Sequence, residues 1–432
     1  MNKDEFLEQQ IKQLLQTGSD KQDLEKILGE LKEIMKKIDD RSPEETIEEL
    51  TNEIKEKSQM FLDKKNQDNE SIITALSTCI YLPSLTGEYK LKFIGGKTSD
   101  GLDVNEETLF DIASITKMYT LLLTFKLEEL GIIKLTDKIS DLDSRFIGLE
   151  DFTIEDIILL CGELYTKGNP KDGKTKEEAE KILETIYLKS NDRTRNLYTD
   201  LGAIVLSRTL ETVLSKYLNR QVTFDEIMEK FLLKPFGLNE TKFNPDNYNL
   251  AGNGNTLGLV HDPKSRALGG NVGSAGIFTN SDDLAKLAKQ MYIVDYCNYN
   301  ALKNLVSKKN LDKMGTVTFP NSAQSNKGLL GGYQKHPDRE NKWLDPLAYA
   351  DKTFTFQGFT GAAATFDPTN KIHNNFLVGA IKDGAPKKDA LFLETFRIYQ
   401  QFIVYKTLEL LIVKKYYEFI NTKEEIDATF KI

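Results

Sequence analysis

Apolar residues recur at helical spacing in two stretches at the start of the chain, separated by the polar turn Gly18-Ser19-Asp20. This pattern predicts a helical hairpin over residues 1–42, ahead of the main domain. The simpler role for such a hairpin is to pack against the main domain. A protein partner bound through residues 1–40 is the alternative, although the apolar repeats are few for a sustained coiled coil.

A helix start and a pair of strands follow this segment. Ser42-Pro43-Glu44-Glu45 is typical of a helix start, because serine caps free N–H groups, proline fits the first turn and acidic side chains favour the helix dipole. The helix is predicted to end at about Lys65. Two segments rich in β-branched and aromatic residues, Ile72–Tyr81 and Tyr89–Ile94, then predict strands joined by a turn at Thr86-Gly87.

The remaining pattern places helices in the middle of the chain and strands again near its end. Strands at both ends with helices between them indicate an α+β fold, in which an antiparallel sheet packs against helices. We expect one domain over residues 43–432, with a helical subdomain at about 118–290 inserted between the sheet-forming ends. Helices are predicted over Met118–Leu130, Asp200–Tyr217, Asp225–Leu233, 282–291 and Ala390–Phe419, and strands over Thr353–Phe366 and His373–Ile381.

The composition argues against several classes of function. The 432 residues carry a net charge of -9 and include three cysteines and three histidines. The negative net charge offers no basic patch for nucleic acid. The cysteines are widely spaced, which predicts buried free thiols, and the few histidines predict no metal site. No apolar run is long enough to span a membrane. The N-terminus lacks the pattern of a signal peptide, so we expect a cytoplasmic location, with export open if a leader has been removed.

One stretch carries a candidate nucleophile. Ser114 and Lys117 form the only Ser-x-x-Lys in the sequence, just before the apolar helix that begins at Met118. Residues three apart share a helix face, with about 5–6 Å between Cβ atoms, so Lys117 can reach the Ser114 hydroxyl as its base. Free N–H groups of the first turn would stabilise an oxyanion and lower the pKa of the lysine. An ordinary serine-capped helix gives the same pattern, so the spacing alone leaves both interpretations open.

Four segments in order carry a family resemblance. They are Phe110-Asp111-Ile112-Ala113-Ser114-Ile115-Thr116-Lys117, Tyr198-Thr199-Asp200-Leu201-Gly202, a glycine-rich segment from His261 to Asp283, and Phe356-Gln357-Gly358-Phe359-Thr360-Gly361. With these segments, the chain resembles the serine β-lactamase and penicillin-binding-protein superfamily. More narrowly, it resembles the group of class C β-lactamases, D,D-carboxypeptidases and β-lactamase-type esterases. The resemblance covers about residues 45–410 and implies a β-lactamase/transpeptidase-like fold.

The resemblance implies a role for the second segment. Tyr198 would relay a proton beside Lys117 and Ser114, whereas the sequence alone makes it one of 17 tyrosines, many of which pack in cores or lids. Asp200 stands where the group more often has asparagine. A carboxylate accepts hydrogen bonds but does not donate them, which weakens any role of Asp200 in binding a substrate amide.

The fourth segment is where the chain departs from the resemblance. Lactamases and carboxypeptidases usually open this segment with lysine or histidine, a cation for the substrate carboxylate, whereas this chain has Phe356. The esterase branch often has an aromatic residue there, so the resemblance implies an uncharged, ester-like substrate beside Phe356, Gln357 and Gly358. The N–H groups of Phe359 and Ser114 would form the oxyanion hole.

Several other residues keep alternatives open. A second register of the last segment would use Lys352-Thr353, but no glycine follows it. His261, Ser274 and Asn271 are candidates for the cleft, with ordinary structural hydrogen bonding as the alternative. Arg266 or Lys352 would supply a cation if the substrate carries a carboxylate.

We therefore expect a bacterial serine acyl hydrolase that needs no metal or organic cofactor. Its substrate would be a small or peptide-like acyl compound, with an ester preferred and hydrolysis proceeding through an acyl-enzyme. A D,D-carboxypeptidase, D-aminopeptidase or β-lactamase on the same scaffold is one alternative. A non-catalytic binding protein on a decayed hydrolase fold is another, which the intact Ser114, Lys117 and Tyr198 disfavour. The sequence leaves open the acyl and leaving groups, acyl transfer, β-lactam reactivity and oligomeric state.

Overall fold

A computed structural model describes the chain from Ser42 onward, with several gaps. The hairpin expected over residues 1–42 lies outside the described residues apart from Ser42 itself, so it stays a prediction. The division into an extension, a domain and a helical subdomain is likewise not tested. The described residues are 42–65, 69, 71–84, 87–245, 250–251, 259–293, 298–319, 327–334, 350–379 and 390–430.

Helix α1 (Pro43–Leu62) begins at the predicted capping sequence. The Ser42 hydroxyl accepts a hydrogen bond from the N–H of Glu45 at 3.2 Å, and the Glu45 carboxylate accepts one from the N–H of Ser42 at 2.8 Å. This reciprocal capping box satisfies two N–H groups that the helix itself leaves free. The predicted helix start is confirmed.

Eleven short strands in the described residues form three antiparallel sheets. The main sheet has the order β2–β1–β11–β10–β9–β8, the second β3–β7–β6 and the third β4–β5. The strands are β1 (Ala75–Ser84), β2 (Gly87–Gly96), β3 (Phe110–Asp111), β4 (Glu163–Tyr165), β5 (Tyr187–Ser190), β6 (Lys242–Phe243), β7 (Ile277–Thr279), β8 (Tyr333–Gln334), β9 (Phe354–Gln357), β10 (Ala363–Asp367) and β11 (Ile372–Gly379).

The main sheet joins the two ends of the domain. Ala75 of β1 pairs with Gly96 of β2 on one side and with Gly379 of β11 on the other. Strands from the beginning and the end of the chain are thus direct neighbours, and most described helices lie between them in sequence. The expected α+β fold, with its antiparallel sheet, is confirmed.

Helices fill the part of the chain between β2 and β8 and follow β11. All residues of α2 from Thr116 to Leu127 are buried, so this helix forms the centre of the larger apolar cluster. The helices after α1 are α2 (Thr116–Glu129), α3 (Ile139–Leu142), α4 (Ile154–Ile158), α5 (Lys176–Glu184), α6 (Asp200–Leu218), α7 (Phe224–Met228), α8 (Pro263–Ala267), α9 (Ser281–Tyr292), α10 (Lys308–Met314) and α11 (Ala390–Phe430).

The two faces of the main sheet bury different partners. Side chains alternate along a strand, so Leu76, Ile80 and Leu82 of β1 face one way while Cys79 and Tyr81 face the other. The first three join the apolar cluster formed with α1 and α11. The other two join the cluster that contains α2 and α6. The sheet is therefore covered on both sides, and α2 is fixed by the second cluster.

Several predicted elements have different limits in the structure, and two differ most. The segment Thr353–Phe366, predicted as strand, is a hairpin: β9 ends at Gln357, β10 starts at Ala363, and the residues between them form a turn. The N–H of Gly358 donates to the carbonyl of Ala362 at 2.8 Å and closes that turn. The closing helix α11 extends to Phe430, beyond the predicted end at Phe419.

The described cysteines behave as predicted. Cys79 and Cys161 are buried free thiols, and burial raises the pKa of Cys79 to about 12. Cys297 lies outside the described residues. Among the described helices, none has an apolar stretch long enough to cross a membrane.

Candidate active site

A strained turn presents the candidate nucleophile ahead of α2. Ser114 lies in a single 3-10 turn, Ala113–Ile115, directly before the helix, at the junction where the sequence predicts it. Ala113 has a φ of 45°, which residues with a side chain rarely adopt. The Asp111 carboxylate accepts a hydrogen bond from the N–H of Ala113 at 2.8 Å and stabilises this conformation.

Three predicted catalytic side chains meet at one oxygen atom. Lys117 Nζ donates a hydrogen bond to Ser114 Oγ at 2.9 Å, and Tyr198 Oη donates to the same atom at 3.1 Å. Lys117 follows Ser114 by three residues and is held on α2, while Tyr198 lies just before α6. The structure thus brings together residues that are 84 positions apart in sequence.

The ammonium of Lys117 is buried and fully surrounded by acceptors. Its Nζ also donates to Asp200 Oδ1 at 2.9 Å and to the Ser274 carbonyl at 3.1 Å. Burial alone lowers the pKa of Lys117, but Asp200 and Tyr198 outweigh it, so the pKa lies above its ordinary value. The sequence-based expectation of a lowered lysine pKa is therefore wrong, because it omitted the carboxylate that tertiary structure places beside the amine.

Asp200 lies between two lysines at the start of α6. Its second oxygen, Oδ2, accepts from Lys264 Nζ at 3.0 Å. Burial alone would raise the pKa of Asp200, but Lys117 and Lys264 lower it well below its usual range. The carboxylate therefore stays ionised at neutral pH and serves to hold the two lysines.

Asp111 fastens the serine turn to two other loops. Besides Ala113, its carboxylate accepts a hydrogen bond from the N–H of His261 at 2.6 Å. Its backbone carbonyl accepts from Thr360 Oγ1 at 2.8 Å. Burial raises the pKa of Asp111 to about 6, although the two backbone N–H groups act against this. Asp111 thus connects the serine turn and the His261 loop through its carboxylate, and the turn after β9 through its backbone carbonyl.

The turn after β9 packs directly against the serine turn. A Cβ at Gly358 would lie 2.5 Å from the carbonyl oxygen of Ile112, so only glycine fits without a shift. The next residue, Phe359, is 47% exposed and its ring stacks on His261 with a centroid distance of 5.4 Å. Phe359 and Ser114 line the same cleft, and the oxyanion hole formed by their two N–H groups stays a prediction.

The two residues before Gly358 have different surroundings. Phe356 is buried, 3% exposed, and its ring packs beneath Gly332 and edge-on to Phe354. Gln357 instead lines the cleft, and its Nε2 is a buried donor without a hydrogen-bond partner among the described residues. Of the residues predicted to bind substrate in this segment, Gln357, Gly358 and Phe359 face the cleft and Phe356 lies behind it.

A lysine that the sequence did not single out lies at the cleft. Lys327 Nζ sits 3.7 Å from the centre of the Tyr198 ring and 5.6 Å from that of Tyr333. The short turn Leu329–Gly331 connects Lys327 to Tyr333. A Cβ at Gly331 would lie 2.3 Å from the Tyr198 ring. This loop therefore packs tightly on the face of the candidate catalytic tyrosine.

Other candidates from the sequence have structural partners. Arg266 donates to the carbonyls of Val260 and His261, and Lys352 donates to Thr316 away from the cleft. Asn271 donates to Asp225 at 2.8 Å. Neither Arg266 nor Lys352 thus supplies the cation considered for a charged substrate, and the register through Lys352-Thr353 does not reach the cleft.

Three residues at the site, Asp111, Lys264 and Lys327, were not predicted to take part in it, and they differ in how far the sequence marks them. Asp111 and Lys264 lie within or beside segments that carry the resemblance, so a search for nearby polar residues could have found them. Lys327 comes from a stretch without helical or strand pattern, and only the fold brings it to Tyr198. No sequence signal for Lys327 is apparent.

The cleft suits acyl transfer. It encloses about 590 Å³ and includes Ser114, Tyr198, His261, Lys327, Gln357 and Phe359 in its lining. A hydroxyl that accepts hydrogen bonds from two polar side chains can attack a carbonyl carbon once its proton is removed. Within the described residues, no group of three His, Cys, Asp or Glu side chains is arranged to hold a metal ion.

Curated proteins with similar sequences include an amidase and a putative carboxypeptidase. The chain is 27% identical to an N-acetylmuramyl-L-alanine amidase from Bacillus subtilis over 320 residues, 62% of this chain and 68% of that one. It is 25% identical to a putative D-alanyl-D-alanine carboxypeptidase from Salmonella gallinarum, over 61% of this chain and 68% of that one. Beta-lactamase-like protein 4 of Dictyostelium discoideum is 28% identical over half of this chain, which spans only 44% of that relative.

Solved structures share the fold. A class C β-lactamase matches with a TM-score of 0.60 and 16% identity, over 83% of this chain and 95% of that one. EstCE1, described as a hydrolase with promiscuous acyltransferase activity, matches with a TM-score of 0.57 and 16% identity, over 82% and 98%. The expected β-lactamase/transpeptidase-like fold is confirmed, and at these identities the match concerns the fold alone.

A family model tests the resemblance directly. The model described as Beta-lactamase matches residues 89–381, which include the serine turn, Tyr198, the His261 loop and the turn after β9. The match covers more than half of the chain, and it agrees with the sequence segments on which the resemblance was based. The chain belongs to the Beta-lactamase family and has the fold of its serine hydrolases.

Proposed function

We propose that this protein is a serine acyl hydrolase that cleaves an ester through a covalent acyl-enzyme. The observation that carries the proposal is the convergence of Lys117 Nζ and Tyr198 Oη on Ser114 Oγ, at 2.9 and 3.1 Å. A serine hydroxyl is a weak nucleophile unless a neighbouring group takes its proton. Family membership alone supports a hydrolase, whereas this geometry supports a particular set of residues.

The proposed first step forms an ester between Ser114 and the acyl group. In this step Tyr198 reacts as a phenolate beside the Lys117 cation. Ser114 Oγ attacks the carbonyl carbon while its proton passes to the phenolate oxygen, and Lys117 stabilises the negative charge on both oxygens. The N–H groups of Ser114 and Phe359 bind the oxyanion. Tyr198 then returns the proton to the leaving group. Water attacks the acyl-enzyme in the second step and regenerates Ser114.

The preference for esters is supported by the position of Phe356. Lactamase and carboxypeptidase relatives have a cation at the start of this segment, whereas Phe356 is buried against Gly332. A peptidase or β-lactamase activity remains the second candidate, because a putative D-alanyl-D-alanine carboxypeptidase is among the similar proteins and Lys327 brings a cation to the cleft from elsewhere.

Parallel kinetics with three substrate types test the proposal. We expect turnover of p-nitrophenyl acetate and butyrate by the wild-type protein, with an initial burst of p-nitrophenol equal to the enzyme concentration if deacylation is slow. A penicillin and a D-alanyl-D-alanine peptide should be turned over far more slowly. Ester turnover that persists in Ser114→Ala would contradict the proposal, and preferential lactam or peptide cleavage would select the second candidate.

A further inference from the structure

The charged groups around the cleft are unequally paired. Asp200 is shared by Lys117 and Lys264 at 2.9 and 3.0 Å, so these three residues form one ion-paired network. Lys327 lines the same cleft as Asp200 and Asp262 but is in no ion pair among the described residues. A cation that is not in an ion pair attracts anions.

Lys327 is the cation without a carboxylate. Among the described residues its ammonium makes no ion pair, and its contacts are the ring faces of Tyr198 and Tyr333. Burial lowers the pKa of Lys327, and the nearby Lys117 lowers it further. An ammonium in such surroundings gains free energy when an anion binds next to it, because the anion replaces lost hydration and offsets the repulsion.

The position of Lys327 also indicates which part of a substrate it meets. Tyr198 hydrogen-bonds Ser114 Oγ with its hydroxyl, and Lys327 lies on the face of the same ring. In the proposed reaction Tyr198 delivers its proton to the leaving group, so the leaving group passes beside Lys327. A second donor, Gln357 Nε2, is buried at the cleft without a hydrogen-bond partner.

We infer that Lys327 is a specificity-determining residue that binds a carboxylate on the leaving group of the ester substrate. This inference rests on the proposed function and names the substrate class as esters with an anionic leaving group. It replaces the expectation, drawn from Phe356 alone, of an uncharged substrate. One ammonium with one amide donor suits a carboxylate, whereas phosphate sites typically combine several cations or backbone N–H groups.

A matched pair of esters tests the inference kinetically. The acetate esters of 3-hydroxybenzoate and of methyl 3-hydroxybenzoate differ by one methyl group, which removes the negative charge of the leaving group. We expect kcat/KM of the wild-type protein to be about tenfold higher for the anionic ester, mainly because its KM is lower. One hydrogen bond between charged groups in a half-buried site has about this effect. The preference should shrink as salt is added, because salt screens the attraction.

Three variants assign the preference to Lys327. Lys327→Met should abolish it, lowering kcat/KM for the anionic ester about tenfold more than for the neutral ester. Lys327→Arg should retain it, and Lys352→Met, a lysine that contacts Thr316 and not the cleft, should leave it unchanged. An equal loss for both esters in Lys327→Met would mean that Lys327 acts only on Tyr198 and would overturn the inference, as would an unchanged preference.

A binding measurement separates this inference from the proposed function. Calorimetry with Ser114→Ala should show tighter binding of 3-hydroxybenzoate than of its methyl ester, and the added Lys327→Met change should equalise the two. Equal binding to Ser114→Ala overturns the inference even if esters are hydrolysed. If 3-hydroxybenzoate binds more tightly than its methyl ester but the wild-type protein turns over no ester, the proposed hydrolase activity fails and the carboxylate site stands.

Discussion

The floor and the rim of the cleft are built in opposite ways. The cleft floor, Ser114, Lys117 and Asp200, is a closed network in which the ammonium and the carboxylate have short polar contacts on every side. The cleft rim, Tyr198, Lys327 and Tyr333, is held by ring packing, and its ammonium has no carboxylate partner among the described residues.

This difference separates two tasks. A charge that is already paired cannot gain much from a substrate, so the floor is suited to holding reacting groups in place and stabilising charge that develops during the reaction. An unpaired charge does gain from a ligand, so the rim is suited to selecting substrates. Changes to the floor should therefore act mainly on kcat, and changes to Lys327 at the rim mainly on KM and on the choice of substrate. Tyr198 takes part in proton transfer, so changes to its position should also lower kcat.

The largest effect is expected from Ser114→Ala. Without the hydroxyl, no acyl-enzyme can form, and we expect kcat for p-nitrophenyl acetate to fall by about 10⁴-fold or more. Steady-state kinetics check this, with Ser99→Ala as a control because Ser99 bonds only to the Leu250 carbonyl away from the cleft. A loss below tenfold would remove Ser114 from the mechanism.

The second largest effect on kcat is expected when the ion pair between Lys117 and Asp200 is removed. Lys117→Met should lower kcat by about 10³-fold, and the double variant with Asp200→Asn should lose little more, because the two residues act as one unit. Multiplicative losses in the double variant would show that they act independently.

Asp200→Asn alone gives a pH-dependent test of the same pair. Since Asp200 raises the pKa of Lys117, its removal should lower that pKa, and the alkaline limb of the kcat profile should move to lower pH. Measurement of kcat from pH 6 to pH 11 checks the direction. A limb that moves to higher pH would contradict the assigned role of Asp200.

Protonation of Asp111 should lower the activity and raise the stability of the protein. Its pKa is raised to about 6, so its carboxylate, which accepts the N–H groups of Ala113 and His261, gains a proton as pH falls through about 6. Activity should drop there. Because the pKa in the folded protein lies above its ordinary value, the free energy of unfolding contributed by Asp111 should rise over the same decrease in pH, towards pH 4.

Asp111→Asn checks this link. The variant should show about tenfold lower kcat/KM, since the amide can replace only one of the two acceptor oxygens. The drop in activity as pH falls through about 6 should disappear in the variant. Its thermal stability should also depend less on pH between 4 and 6. A limb that remains in the variant would assign the titration to another group.

An effect about as small as that of Asp111→Asn is expected from Gly331→Ala at the rim. The added Cβ would meet the Tyr198 ring at 2.3 Å, and φ at this residue is +87°, so the ring must move. We expect about a tenfold loss in kcat/KM. Gly237→Ala, also at positive φ but with open space around it, controls for backbone strain. Equal effects of the two changes would mean that the position of Tyr198 is unimportant.

How much could be predicted from the sequence depends on the range of the interactions. Ser114 and Lys117 lie three residues apart, so local spacing is enough to place them together. The capping box at Ser42 is local in the same way. Tyr198 and Gly358 were found only through the resemblance, since nothing near them in the sequence marks their roles.

Long-range contacts account for the errors. The pKa of Lys117 depends on Asp200, which lies 83 residues away, and the sequence alone gave the wrong direction. The hairpin within Thr353–Phe366 was predicted as strand because apolar residues flank the turn on both sides, and only the pairing of β9 with β10 reveals it. Lys327 reaches Tyr198 through a loop without regular pattern.

Intact mass spectrometry after treatment with a fluorophosphonate tests the central claim most directly. The account predicts one phosphonyl adduct per chain, located at Ser114 by peptide mapping, absent in Ser114→Ala and formed much more slowly in Lys117→Met. An adduct at another serine, or ester turnover by a protein that acquires no adduct, would contradict the claim that Ser114 is the nucleophile.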